Sequence, residues 1–301
     1  MKKACLVLSV LILLSVFSCL PAEGCTSFAE YSDTILYGMN FDFIPNTELK
    51  FVVDKSGDGK VFLMRSQIGD TFIETIGMND KGLFAAFMMQ FPEQMGKSIL
   101  AENEITTWDL FMMSRSCERC QQIMDFLKNR RLVHIDLTTH LFFGDQYGDS
   151  TIIEVGDDDN VIIPMEGQFN VMTNFSNTGF IGKPYTEVIG AGDDRYKTAY
   201  EHIQKNINNF SVETGLETLA LTQQSDGTFP TLCSMIFDPE NKEVYIVLNR
   251  GFSKVWKLSM EKETIESFKG FDKPITVKMK PEGILASELI KFGAEALATS
   301  Q

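Results

Sequence analysis

The stretch near the amino terminus reads Ala22-Glu23-Gly24-Cys25-Thr26-Ser27-Phe28 and resumes, after a short gap, with Leu36-Tyr37-Gly38-Met39-Asn40-Phe41-Asp42. It follows a short positive region at Lys2 and Lys3 and an apolar run from Ala4 to Phe17. Small residues then stand at the two positions that a signal peptidase inspects. The pattern predicts a signal peptide over residues 1–24, one domain over residues 25–301, and a secreted or periplasmic location.

Cleavage after Gly24 makes Cys25 the first residue of the mature chain, so that a thiol and a free α-amine share one residue. This pairing supplies both a nucleophile and a base. An α-amine with an ordinary pKa of about 7.7–8.0 is partly an uncharged base near neutral pH. Two alternatives stay open. Cys25 is an ordinary structural cysteine in one, and in the other a lipid anchors the chain at Cys19, although Val16-Phe17-Ser18 fits a lipobox poorly.

The composition narrows the class of partner. The 301 residues include 27 basic and 41 acidic side chains, which gives a net charge of −14. This acidity argues against binding to nucleic acid or to an anionic membrane. After the signal, no apolar stretch is long enough to span a membrane. We therefore expect a neutral or cationic partner and no membrane span, with the oligomeric state left open, a homo-oligomer included.

Cysteine spacing gives no metal site. Four cysteines follow the signal, and Cys117 and Cys120 form a C-x-x-C. Zinc would need a second pair of ligands at metal spacing, and the three scattered histidines supply none. We expect buried small residues or one local disulfide. The segment 54–59 resembles the start of a calcium loop, but Arg65 stands where a bidentate glutamate is needed, which favours a hairpin turn.

The order of elements indicates an α+β domain. Short β-rich runs bounded by turn signals predict strands at 34–38, 49–53, 83–89, 141–143, 151–155, 161–163, 234–237 and 243–248. Helical patterns cover 105–130, as one helix or a helix–turn–helix, and 194–206, 211–221 and 281–298. The run 83–89 is apolar throughout, as in a strand buried on both faces. Helices outside packed sheets are the expected arrangement.

Several motifs together resemble the choloylglycine hydrolase family, which includes bile-salt hydrolases and penicillin V acylases. The resemblance lies in Cys25-Thr26-Ser27-Phe28 with Gly38 to Asp42, and then in the segments 77–83, 171–174, 194–196 and 231–238. The motifs come in family order and cover most of the chain after residue 24. Members are N-terminal nucleophile (Ntn) hydrolases. The resemblance implies a four-layer αββα sandwich of antiparallel sheets. It also implies a small-molecule N-acyl amide substrate, whose non-peptide amide bond is hydrolysed without a metal or organic cofactor.

The resemblance also implies roles for individual residues. Cys25 is the nucleophile, and Asp42 holds and polarises its α-amine. The Asn174 side-chain amide and the backbone N–H of Gln90 stabilise the oxyanion, as donors do in other acyl-transfer enzymes. Arg195 steadies Asp42 or the cysteine end of the site.

One position departs from the family pattern. Relatives usually have arginine where this chain has Met39, and methionine neither carries charge nor donates hydrogen bonds. Arg65 and Arg195 are the candidates to compensate. Met39, Phe87 and Met89 are candidates for an adaptable apolar acyl pocket. Acyl transfer, in which an amine rather than water resolves the same acyl-enzyme, stays open as an alternative to hydrolysis. The departure at Met39 keeps a second alternative open, a non-catalytic binding protein, possibly lipid-anchored.

Overall fold

The computed structural model describes residues 24–57, 59–94, 96–135, 137–225 and 227–298 of the chain. The predicted signal peptide, apart from Gly24, and the alternative lipid site Cys19 lie outside the described residues.

In the described part of the chain, two pairs of helices interrupt the succession of strands, and a fifth helix follows the last strand. The strands are β1 (Thr26–Tyr31), β2 (Ile35–Asp42), β3 (Leu49–Gly57), β4 (Gly59–Ile68), β5 (Thr71–Asn79), β6 (Phe84–Met89), β7 (Glu104–Thr106), β8 (Arg131–Val133), β9 (Thr139–Gly144), β10 (Ser150–Val155), β11 (Asn160–Pro164), β12 (Phe169–Met172), β13 (Thr231–Asp238), β14 (Glu243–Leu248), β15 (Val255–Ser259), β16 (Thr264–Lys269), β17 (Thr276–Lys278) and β18 (Ile284–Leu285). The helices are α1 (Thr107–Ser114), α2 (Cys120–Leu127), α3 (Asp193–Asn206), α4 (Val212–Leu221) and α5 (Ala286–Ala298).

Two antiparallel sheets contain most of the strands. Sheet 1 has the order β12-β1-β2-β13-β14-β15-β16-β17, and sheet 2 has the order β11-β10-β9-β6-β5-β4-β3-β18. The chain passes from sheet 1 to sheet 2 after its second strand. Strands β1 and β2 pair in sheet 1, whereas β3 pairs with β4 in sheet 2. The short strands β7 and β8 form a separate parallel pair.

The sheets pack face to face, with helices on both outer sides. Phe237 of sheet 1 lies with its ring centroid 4.7 Å from that of Phe84 and 5.7 Å from that of Phe62, both in sheet 2. Apolar residues of α3 and α4 cover the outer face of sheet 1, and those of α1 and α2 cover the outer face of sheet 2. Burial of these three apolar layers is the main favourable term for folding. The expected αββα sandwich is confirmed.

Strand β6 shows how the apolar runs are used. Phe84 and Met88 face the core between the sheets, whereas Ala85 and Phe87 face the helical layer of α1 and α2. Successive side chains of a strand point to opposite faces, so a strand that is covered on both sides is apolar throughout.

The segment 105–130 forms a helix–turn–helix rather than one helix. Helix α1 begins with a capping box in which Thr106 and Asp109 satisfy each other's backbone N–H groups. The break before α2 is held by the turn after β5, where the Asn79 amide donates to the carbonyl of Cys117 at 2.6 Å. The same side chain accepts from the N–H groups of Lys81 and Leu83 at 3.0 Å. The turn within segment 77–83, one of the motifs that resemble the family, therefore has a structural role, since it holds the break between α1 and α2.

Two further expectations can be compared with the structure. Cys25, Cys117, Cys120 and Cys233 are all buried free thiols, so the alternative of a local disulfide between Cys117 and Cys120 is not what the structure shows. Within the described ranges, no helix combines the length and the apolar character that crossing a bilayer requires.

Candidate active site

Cys25 lies immediately before β1, next to the end of β2. The antiparallel register places Thr26 opposite Asn40, which brings the start of β1 beside Asp42. The Cys25 Sγ accepts from the backbone N–H of Asp42 at 3.5 Å and lies 3.7 Å from the Asp42 carbonyl oxygen. Cys25 is only 5% exposed and belongs to the core between the sheets. The local pairing of two neighbouring strands thus places the two residues together.

The Asp42 carboxylate is fixed by two donors. The Thr231 hydroxyl donates to Oδ1 at 2.5 Å, and the Gln224 amide donates to Oδ2 at 2.6 Å. Burial raises the pKa of Asp42 to about 6, although the charge of Arg195 and the two hydrogen bonds oppose this rise. The carboxylate is therefore held rigidly, while its pKa lies close to neutral.

Arg195 joins the other site residues to one another. It lies in the first turn of α3 and is buried. Its Nη1 donates to the carbonyl of Cys25 and, at 3.0 Å, to the Thr26 hydroxyl, while Nη2 donates to Asn174 Oδ1 at 3.0 Å. A guanidinium presents several donors in a fixed plane, so one side chain can orient all three groups.

Asn174 follows β12 and lies against the residue before the cysteine. Its Nδ2 donates to the Met89 carbonyl at 2.7 Å. Gly24 has a φ of +147°, and a Cβ added there would lie 2.3 Å from the Asn174 Cγ. Only glycine therefore fits before Cys25 without displacing the Asn174 amide.

Burial raises the pKa of the Cys25 thiol to about 12, with the charge of Asp42 acting in the same direction and that of Arg195 opposing it. In the described chain Gly24 precedes Cys25, so the Cys25 nitrogen is an amide and not a base. A buried thiol with a raised pKa needs a neighbouring base before it becomes a nucleophile.

Gln90 differs from what the sequence suggests. Its backbone N–H donates to the Thr138 carbonyl at 2.9 Å, because the pairing of β6 with β9 continues for one residue beyond the strand ends. The N–H is therefore engaged in this conformation and is not free to face an oxyanion. Phe91, which follows, likewise donates its N–H to the Asn174 carbonyl, at 2.7 Å.

The three candidate pocket residues do not lie together. Met39 is completely buried in the same core as Cys25 and is paired with Met235 and Ser27. Phe87 packs against Phe111 of α1, on the opposite face of sheet 2 from that core. Its assignment to a pocket beside Cys25 is therefore wrong, and the reason is strand alternation.

Met89 shares the outer face with Phe87. It is paired with Thr139, whose hydroxyl lies 2.6 Å from that of Thr107 in α1. The Met89 side chain therefore faces the helical layer too, and only its carbonyl reaches the site. Arg65 is also outside the site, since it pairs with Glu74 at 2.7 Å on sheet 2. Arg195 is thus the only one of the two arginines considered that contacts the residues around Cys25.

Two residues of the site were not predicted from the sequence. Thr231 lies within a quoted motif, but nothing in its spacing showed that it faces Asp42. Gln224 is far from Asp42 in the chain, and its amide also donates to the Gly24 carbonyl at 2.8 Å. The usable signal is topological, because β13 pairs with β2 and places Thr231 directly opposite Asp42.

A cleft of about 240 Å³ lies at the edge of the two sheets, and its walls include none of Cys25, Asp42, Asn174 and Arg195. The segment 175–188, the edge strands β11 and β12 and helix α3 form these walls. Six of the lining residues are aromatic, and several of their rings are in contact. They are Phe169, Phe175, Phe180, Tyr185, Tyr196 and Tyr200. The same walls carry Glu166, Asn170, Asn177 and Lys183, so the lining mixes aromatic with polar groups.

Comparison with solved structures shows the fold independently. A variant of the conjugated bile acid hydrolase from Clostridium perfringens superposes with a TM-score of 0.60 at 15% identity, over 85% of this chain and 97% of that one. Penicillin V acylase from Agrobacterium tumefaciens gives a TM-score of 0.61 at 15% identity, over 86% and 99%. Both are similar to this chain in their Ntn-hydrolase fold. No curated protein sequence matches significantly.

The family assignment rests on sequence. The model of the family described as acyl-coenzyme A:6-aminopenicillanic acid acyl-transferase matches residues 29–251, which is more than half of the chain. The resemblance drawn from the motifs, to N-terminal nucleophile hydrolases of the bile acid hydrolase and penicillin V acylase type, is confirmed by this match together with the shared fold. The chain belongs to the acyl-coenzyme A:6-aminopenicillanic acid acyl-transferase family.

Proposed function

We propose that this protein is a secreted or periplasmic hydrolase of N-acyl amides, and that Cys25 becomes its nucleophile once residues 1–24 are removed. The observation that carries the proposal is the arrangement around Cys25. Its thiol lies against Asp42, its carbonyl is held by Arg195, and Arg195 also holds Asn174. Gly24 and Cys25 are buried in the folded chain, so a signal peptidase must act before this region folds.

The chemistry follows from the groups present. The α-amine freed by cleavage takes the proton of the Cys25 thiol as Sγ attacks the carbonyl carbon of the amide. The C–N bond then breaks, the ammonium returns the proton to the leaving amine, and a thioester remains on Cys25. Water activated by the same α-amine attacks the thioester and releases the acid. Asp42, fixed by Thr231 and Gln224, keeps the α-amine in place for both steps.

Asn174 is the best-placed donor for the oxyanion. Its Nδ2 carries two hydrogens, and the Met89 carbonyl takes one of them. The amide also faces the position of Gly24, which the mature chain lacks. Gln90 can contribute its backbone N–H only by giving up the bond to Thr138. We therefore assign Asn174 the larger share of this role.

The substrate class is an amide with a bulky, largely apolar acyl group. The two similar structures are named for conjugated bile acids and penicillin V, and both names denote amides. We assign the acyl group no pocket, because the walls of the aromatic cleft include none of Cys25, Asp42, Asn174 and Arg195.

The deciding experiment is mass detection of an acyl adduct. The mature protein is incubated with a panel of N-acyl amides, quenched in acid and digested. We expect an added acyl mass on the peptide that begins with Cys25. Cys25→Ser should lose nearly all turnover, because a hydroxyl is a far weaker nucleophile. Cys117→Ser is the matched control and should remain active, because Cys117 is a buried thiol in the layer of helices that covers sheet 2. Undiminished turnover by Cys25→Ser would show that another group is the nucleophile.

A second experiment tests the base. A chain that begins at Cys25 is compared with one that keeps a verified Met-Gly extension, so that only the α-amine differs. The extended chain should be inactive, because an amide nitrogen is not basic at any working pH. Equal activity of the two chains would rule out the N-terminal base even with Cys25 as the nucleophile.

Acyl transfer is the second candidate, and the matching family's own description favours it. Hydrolysis and transfer share the thioester and differ only in what attacks it. Adding a small amine such as hydroxylamine during turnover measures how the acyl group divides between water and amine. A product that forms only with the amine would make the protein a transferase. A mature chain that forms no adduct with any amide would favour the non-catalytic binding protein.

A further inference from the structure

Glu154 is completely buried in strand β10, on the face of sheet 2 that looks toward sheet 1. Its neighbour Ile152 belongs to the core between the sheets, whereas Ile153 faces the helices. An ionised carboxylate is costly in such a place unless hydrogen bonds satisfy it. Glu154 is satisfied, and its partners show what it does.

Five of its hydrogen bonds come from three consecutive residues. Glu154 Oε1 accepts from the Asn177 backbone N–H at 2.8 Å and from its side-chain amide at 2.9 Å. Oε2 accepts from the Thr178 hydroxyl at 2.7 Å, from the Thr178 N–H at 3.2 Å and from the Ser176 hydroxyl at 3.1 Å. One carboxylate therefore organises the whole turn 176–178.

A sixth contact fixes the carboxylate itself. His140, also buried, lies opposite on strand β9 with its Nδ1 3.2 Å from Glu154 Oε1. Burial alone would raise the pKa of Glu154, but hydrogen bonding and charge from His140 and bonds from Asn177 outweigh it and bring the pKa to about 2. Glu154 is thus a rigid, charged anchor on a sheet strand.

The anchored turn begins two residues after Asn174. Phe175, between them, forms a bridge with Phe91, and the Asn174 carbonyl accepts from the Phe91 N–H. The Asn174 side chain then reaches Met89 and Arg195. The backbone at 174 is therefore held on one side by the Phe91 pairing and on the other by the turn that Glu154 organises.

We propose that Glu154 is a positioning residue for Asn174: by fixing the turn 176–178, it sets the direction of the Asn174 amide toward the reacting carbonyl of the substrate. Glu154 acts through the turn and contacts no reacting atom in this assignment. The proposal rests on the proposed function for its kinetic consequence. Misplacement of a catalytic group by about 1 Å can cost up to about 100-fold in rate, so a loosened turn has a measurable effect.

The test is a double-mutant cycle with a matched control. Glu154→Gln keeps the volume but replaces one acceptor oxygen with a donor facing Ser176 or Thr178. Alone, it should lower kcat by about tenfold or more and leave KM nearly unchanged. In the Asn174→Ala background Glu154→Gln should lower kcat by almost nothing further, because the group that Glu154 positions is gone.

The control is Glu30→Gln, which changes another completely buried strand glutamate and should keep parental kinetics. Thr178→Val removes a single donor and should give a smaller loss of the same kind.

A second readout does not need activity. Amide hydrogen exchange at Asn177 and Thr178, whose N–H groups bind Glu154, should accelerate in Glu154→Gln and stay slow in Glu30→Gln. Unchanged exchange would overturn the anchor. If exchange accelerates but the kcat losses of Glu154→Gln and Asn174→Ala multiply in the double mutant, the link to Asn174 is overturned. If the parental protein turns over no amide at all, the proposed function fails instead, and exchange still decides whether Glu154 organises the turn.

Discussion

At the scale of single residues, Met39 occupies the position where the family resemblance leads us to expect an arginine. Its side chain is completely buried in the core that also contains Cys25, so it fills space and does not face water. Arg195 supplies the cation instead, from helix α3, and contacts the Cys25 carbonyl. The site has thus kept a guanidinium next to Cys25 while losing the one expected on β2.

Met39→Arg should destabilise the protein rather than restore a family feature. A buried, unpaired cation costs several kcal/mol, on the order of 3 or more here. Met39→Leu, which conserves volume, should cost less than about 1.5 kcal/mol. Urea unfolding gives the free energies, and amide turnover is measured on the same samples. A Met39→Arg variant as stable as the parent, with higher turnover, would show that position 39 reaches an acidic partner such as Asp42.

Thr231→Val tests the support of Asp42. The variant keeps the shape but removes the donor to Oδ1, whose effect is to lower the pKa of Asp42. The pKa of Asp42 should therefore rise further. In the proposed mechanism an ionised Asp42 holds the α-amine, so the acidic limb of the pH–rate profile should move to higher pH. Thr75→Val in sheet 2 is the control. A lower rate with an unmoved limb would mean that Thr231 matters only for packing.

Short motifs in the sequence could name residues that lie close together, but they could not name the partners that the fold brings from elsewhere in the chain. Cys25, Asp42, Asn174 and Arg195 could be named from short motifs, and the structure brings all four together. Glu154 stands between Ile153 and Val155 in β10, which marks it as unusual but does not show which turn it binds. Its partners and those of Asp42 come from distant strands and loops, and no local pattern encodes those pairings.

At the scale of elements, strand alternation decides which side chains can meet. The apolar run of β6 was correctly predicted to be a strand buried on both faces, and the same period of two should have excluded Phe87 from a site between the sheets. Close strand contacts add a second constraint. Gly38 in β2 lies opposite Phe28 in β1, and the Phe28 ring covers the place where a Cβ would be.

Gly38→Ala should weaken this strand pair. A Cβ at position 38 would lie 2.1 Å from a ring carbon of Phe28, and that ring is itself packed edge-on against Phe210 with centroids 5.8 Å apart. We expect a loss of about 1–3 kcal/mol, as for other overpacked cores. Gly57→Ala in β3 meets no atom within 4 Å and should be neutral or slightly stabilising. Equal melting temperatures for the two variants would show that the Phe28 ring moves aside freely.

At the scale of the whole molecule, the resemblance to a family gave the αββα sandwich and local patterns predicted eight of the eighteen described strands, but which side chains meet between the sheets could not be read from the sequence. Packing Phe237 against Phe62 and Phe84 depends on long-range register between the sheets. Two strand glutamates, Glu30 and Glu154, are both completely buried. Glu154 lies between the sheets, on the same face of β10 as Ile152, whereas Glu30 shares the face of β1 that carries Phe28 and looks toward the helical layer of sheet 1. Their surroundings differ, and so do their effects on stability.

The two glutamates should give opposite pH dependences of global stability. Burial raises the pKa of Glu30 against the donors of Ser32, so its ionisation costs stability above the ordinary pKa, and that cost fades as the pH falls. The pKa of Glu154 is about 2, so its contribution, on the order of 3 kcal/mol, is present above about pH 4.5 and is lost as the pH falls toward 2. Urea unfolding of the parent, Glu30→Gln and Glu154→Gln between pH 7 and 2.5 measures both. Glu154→Gln should have a lower free energy of unfolding than the parent at pH 7 and should approach the parent's value as the pH falls. Any gain in stability that Glu30→Gln shows over the parent at pH 7 should disappear as the pH falls. A constant gap between the parent and Glu154→Gln over this range would mean that the carboxylate charge contributes nothing to stability.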